Sequence, residues 1–174
     1  MTDTPDHLRR KLLFAGLALG VVTPAQALNG RYAAGGVPPD AAEIDALLAT
    51  GSLALQTSLV AVQTSPNPDV RAFAQSEIAE QRGIAAAITG APRPAPLTPR
   101  GAAILAEAQS LPPGLTADRV YVRRQIEGHQ QLHALARGYA AQGADPAIAE
   151  VARGSLPLIR THLAILRRLT GQIG

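Results

Sequence analysis

Apolar side chains recur at helical spacing along two long stretches. The first is Thr116 to Gln142, with Val122, Ile126, His129, Leu132, His133 and Ala136 on one stripe. The second is Asp145 to Thr170, with Ile148, Ala152, Ser155, Ile159, His162, Leu166 and Leu169. A period near 3.6 predicts two long amphipathic helices packed by those stripes, with His129 and His162 inward and His133 at the boundary of the first. Pro157 falls inside the second. It removes one backbone hydrogen bond and is expected to bend the rod.

Two more helices precede them. Asp40 followed by Glu43 has the pattern of a capping box, and Ile44, Leu48, Gly51, Leu55, Leu59 and Val62 continue it as a stripe ending near Thr64. Gly51 weakens that helix but leaves room for a neighbour to come close. Asn67-Pro68-Asp69 then supplies a cap residue, a proline at the first helical position and an acid at the positive end of the dipole. Val70, Phe73, Ala74, Ile78, Ile84 and Ile88 mark the buried face of this second helix, with Glu77 and Gln81 on or beside it. Gly90 and the four prolines between Ala91 and Pro99 stop it and form a stiff crossing segment. Thr98-Pro99 opens a short helix to Ser110, and Asp145-Pro146 repeats the cap-then-proline start for the last long one. The expectation is an all-α domain over residues 40–174: four long helices, a proline-rich crossover and a short extra helix.

The amino terminus has a different pattern. Arg9-Arg10-Lys11 precedes an eleven-residue apolar run, Leu12 to Val22, closed by the small-x-small triplet Ala25-Gln26-Ala27. As a helix such a run reaches about 16 Å, too short for a hydrocarbon core of about 30 Å. Residues 1–27 therefore read as a signal peptide cleaved after Ala27 with Ala25 as the other small residue, and residues 28–39 as a flexible lead. Arg9-Arg10-Lys11-Leu12-Leu13 resembles a twin-arginine export signal, although ordinary signals also contain paired arginines. The expected location is periplasmic or secreted, with no transmembrane segment once the signal is removed.

Composition narrows the chemistry. The chain contains no cysteine, so it needs no disulfide and has no thiolate metal site. Aromatic residues make up 3%, which leaves the core to Leu, Ile, Val and Ala and argues against a sheet. The net charge is +3, but the arginines are scattered and no aromatic-basic surface accompanies them, so nucleic acid is not expected as a partner. The sequence names no partner, and an oligomer stays open. No serine sits on an elbow-type turn or beside an evident base. His129-Gln130-Gln131-Leu132-His133 has the histidine spacing of a zinc protease helix without its glutamate.

Four pieces in order, Thr50-Gly51, Asn67 to Gln75, Asp118 to Tyr121 leading to Gly128-His129, and Leu156-Pro157-Leu158 leading to His162-Leu163, resemble a bacterial family of exported, ferritin-like domains of unknown function, often labelled outer-membrane proteins. The resemblance implies a ferritin-like four-helix bundle and carries no activity with it. This chain departs from the family at two places that bear on metal binding. It has Ala54-Leu55 where the family usually has a glutamate, and Glu80-Gln81 where the family usually has an acid-histidine pair.

A di-iron bundle needs several carboxylates and two Glu-x-x-His pairs facing inward, and this sequence contains no Glu-x-x-His. The inward polar groups that remain are Glu77 or Glu80, Gln81, His129 and His162. They are expected to form a buried polar layer that fixes helix register, in a non-enzymatic binding or structural module of the cell envelope without a cofactor. The alternative is a weak metal site drawn from His129, His162, Glu77 and Glu80.

Overall fold

A computed structural model describes residues 40–174. The expected signal peptide at 1–27, its expected cleavage after Ala27 with Ala25 as the other small residue, and the expected lead at 28–39 lie outside the described residues. Within them the chain is all-α, with five helices and no strand: α1 (Ala41–Thr64), α2 (Pro68–Thr89), α3 (Pro99–Ser110), α4 (Leu115–Gln142) and α5 (Pro146–Ile173).

Local chemistry sets most of the boundaries. Asn67 Oδ1 accepts from Asp69 N and Val70 N, and Asp145 Oδ1 from Ala147 N and Ile148 N, each followed by proline at the first helical position. Thr98 Oγ1 caps α3 through Gly101 N at 3.0 Å. Gly90 closes α2 in the left-handed region at φ 77°, where a side chain would be strained. The capping box expected at Asp40 and Glu43 does not form. The Asp40 side chain instead accepts from Ala144 N at 2.8 Å, tying the start of α1 to the α4–α5 turn, and only its carbonyl serves α1. The Tyr139 hydroxyl beside it holds the Asp40 carboxyl below its usual range.

The four long helices form two antiparallel hairpins, α1–α2 and α4–α5. Gln125 meets Ala54 and Asp40 meets Ala144, so α1 and α4 are antiparallel as well. The most extensive contacts are α4 with α5 and α1 with α2, followed by α1 with α4, and α2 with α5 closes the ring. Residues 90–98 and α3 carry the chain from one end of the bundle to the other. Ser52 Oγ donates to Ala95 O at 2.7 Å, pinning this crossover to α1, and Arg124 pairs with Glu107 at 2.8 Å, pinning α3 to α4.

α1 is long and apolar enough to cross a membrane; in this fold it is the helix that touches α2, α3 and α4. Its inward face differs from the expected stripe. Leu59 is 38% exposed, while Ser52, Thr57 and Ser58 are buried. Thr57 and Ser58 donate their hydroxyls back to Leu53 O and Ala54 O, which satisfies them inside the core and lets neighbouring helices approach over small side chains. Pro157 lies exposed in α5, which continues through it. The carbonyl deprived of a donor belongs to Arg153, on the solvent side, so water can serve it.

The core divides into two apolar clusters. One joins Ile44, Leu47, Ile88, Leu132, Tyr139, Ile148 and Ile159, and the other Val70, Phe73, Tyr121, Val122, Leu166, Leu169 and Ile173. Between them lies a layer of buried polar groups.

Candidate metal centre

That layer draws on all four long helices. From α2, Glu77 reaches the axis with none of its surface exposed. From α4 and α5 come His129, 1% exposed, and His162, 4% exposed. Each lies where its helical stripe directs it, so the inward orientation expected for both histidines is what the fold contains. Of the two glutamates the sequence left unresolved, Glu77 is at the centre and Glu80 at the rim. His133 is only half-buried and takes no part.

Glu77 Oε2 lies 2.9 Å from His162 Nδ1 and 3.2 Å from His129 Nε2, and those two nitrogens are 3.0 Å apart. The outer nitrogens are already engaged. His129 Nδ1 is 2.8 Å from Gln125 O, a carbonyl that can only accept, so this nitrogen carries the hydrogen. His162 Nε2 is 3.0 Å from Glu80 Oε2, a carboxylate held in turn by the Ser76 hydroxyl. With both outer nitrogens donating, neutral rings turn their lone pairs toward Glu77 Oε2, which has no well-aligned hydrogen-bond donor among the described residues. Three acceptor atoms therefore converge on one small volume, and something positive must lie among them.

A proton is one solution. Burial raises the cost of ionising Glu77, but the two imidazoles against it prevail and hold its carboxyl down at about 2. Burial likewise favours a neutral His162, yet hydrogen bonds to Glu77 and Glu80 push it up to about 9. A divalent cation is the other solution. Donors on an ion bound at ~2.1 Å stand about 3.0 Å apart at right angles and about 3.4 Å apart at tetrahedral angles, so a four-coordinate ion fits once the three separations found here open by a few tenths of an ångström. Glu77, His129 and His162 are the cluster of metal-ligating side chains found among the described residues. Two imidazoles and one carboxylate suit zinc or ferrous iron, and ring nitrogens fixed by a carbonyl and a carboxylate are the outer support that metal-bound histidines ordinarily have.

The surroundings are close-packed. Phe73 sets its ring edge-on to His162, with centroids 5.1 Å apart, and lies 6.0 Å from His129. Gln125 Nε2 is shared among Ala54 O, Thr57 Oγ1 and Ser58 Oγ, and Ser58 Oγ is 2.8 Å from the Tyr121 hydroxyl. Sequence reasoning missed the part played by Gln125. Its signal was its place one turn before His129 on the same stripe, where its carbonyl faces that ring. Gln81 Nε2 donates to Glu77 Oε1 at 2.9 Å.

The family model described as a domain of unknown function, DUF4142, matches residues 25–169, and the chain belongs to that family. No curated protein and no solved structure matches it.

Proposed function

We propose that this DUF4142 chain is an exported, ferritin-like helical bundle that binds one divalent transition-metal ion through Glu77 Oε2, His129 Nε2 and His162 Nδ1. The observation that carries the reading is the convergence of three lone pairs whose partner atoms are tied off behind them by Gln125 O, Glu80 and Gln81. Two antiparallel hairpins joined by one long crossover is the connectivity of ferritin-like bundles, which build their metal sites from inward side chains on facing helices. Among the described residues one Glu-His-His set is present, so the reading is a single ion rather than a pair. Export rests on the cationic start, the short apolar run and the Ala25-Gln26-Ala27 triplet.

The test is metal content after chelator treatment and dialysis against zinc, ferrous iron or manganese. About one equivalent should be retained, and His129→Ala or Glu77→Gln should lose it. Failure of all three ions to bind would overturn the reading. It would leave the second one, favoured by the charged His162 between Glu77 and Glu80: a proton-closed polar layer that fixes helix register.

A further inference from the structure

We infer that Gln81 is a positioning residue for this centre, confining Glu77 to ligation through a single oxygen, and that Gly51 is the space reserved for it. The inference rests on the metal reading above and specifies its coordination.

A carboxylate with both oxygens free can turn and clasp an ion with the pair. Glu77 is not free in this way: Oε1 accepts from Gln81 Nε2 at 2.9 Å, leaving Oε2 for the imidazole nitrogens. Clasping would take Oε1 from the amide and leave a buried donor without a partner. The other end of the amide lies against α1 at Gly51. A Cβ added at Gly51 would fall inside the van der Waals envelope of Gln81 Oε1. Gln81 is thus wedged between the α1 backbone and the carboxylate. Gln81 and Gly51 also line a small cavity together with Leu47, Leu55, Ile84 and Pro94.

One-oxygen ligation gives the ion three protein donors and leaves coordination positions for water or a small ligand. Two-oxygen ligation would occupy one of those positions and favour ions that prefer higher coordination numbers.

Cobalt(II) distinguishes the two, since its visible bands are intense at four coordinates and weak at six. The full chain, freed of metal and titrated with cobalt(II), should show intense bands at one equivalent. In Gln81→Leu binding should persist while band intensity falls by about twofold or more as Glu77 takes up its second oxygen. Gly51→Ala, which displaces the amide without removing it, should change the spectrum in the same direction. Combined with Gln81→Ala, it should add nothing to Gln81→Ala alone. Unchanged spectra in Gln81→Leu with cobalt bound would overturn the inference and leave the metal site standing, as would a Gly51→Ala effect that persists undiminished beside Gln81→Ala. If the wild-type chain takes up no cobalt, zinc, iron or manganese, the site and this inference fall together.

Discussion

His129 Nε2 and His162 Nδ1 face each other at 3.0 Å across the seam between α4 and α5, with Glu77 Oε2 from α2 closing the triangle. Among the described residues neither ring has another partner for its inner nitrogen than these two, so the histidines depend on each other and on the glutamate.

This dependence predicts non-additive mutational effects. In chelator, His129→Leu or His162→Leu leaves the opposite ring and Glu77 with a lost partner in a dry interior, at about 1 to 3 kcal/mol each. Replacing both removes a shared desolvation penalty, and the double variant should lose less than the sum. A double-mutant cycle by urea unfolding measures it; strict additivity would mean that the rings do not interact.

Stability of the metal-free protein should depend on pH in a defined window. Glu77 is depressed from 4.5 to about 2, so its contribution is complete above pH 4.5 and is lost as pH falls toward 2. His162 is raised from 6.5 to about 9, so its contribution is complete below pH 6.5 and is lost as pH rises through 9. For these two groups the plateau runs between 4.5 and 6.5. Denaturation midpoints measured across pH in chelator check it, and His162→Leu should remove the alkaline decline.

Metal uptake should release a proton at neutral pH. His162 with a pKa of about 9 carries a hydrogen on Nδ1 that an ion must displace. Calorimetry in buffers of different ionisation enthalpy should find about one proton released per ion at pH 7, with affinity rising about tenfold per pH unit below 9. A release of zero would mean that the ion does not take the Nδ1 position.

The cap on α2 provides a control away from the site. Asn67→Ala leaves Asp69 N and Val70 N without the Oδ1 acceptor, and should cost about 1 kcal/mol. Metal binding should not change. Thermal melts and a zinc titration on the same sample separate the two effects.

Features decided by neighbouring residues were legible in the sequence. Asn67-Pro68, Thr98-Pro99 and Asp145-Pro146 start helices because their side chains bond amides two or three positions ahead. The inward aim of His129 and His162 was legible for a similar reason, since period alone places them among Val122, Leu132, Ile159 and Leu166. Asp40 was misread because its partner, Ala144 N, is 104 residues away, and no local pattern announces such a contact. The face of α1 was misread because its stripe was traced through the large apolar residues. In this helix the seam follows Ala54, Thr57, Ser58 and Ala61 instead, small side chains over which α4 comes close. The choice between Glu77 and Glu80 needed the position of α5: both could face inward from α2, and only the packed helix shows which meets the rings and which meets the outer nitrogen of one of them.

The crossover at residues 90–98 also divides the centre in two. Glu77, Glu80 and Gln81 lie before it and Gln125, His129 and His162 after it, so each helical hairpin carries an incomplete half of the polar layer. A chain cut within this segment would yield two fragments, one acidic and one basic at the same level of the bundle, each exposing groups that only the other can satisfy. Their reassembly should be selective for partners brought into the right vertical register, and a bound ion would act as a rivet between them, making complementation of the halves respond to chelator.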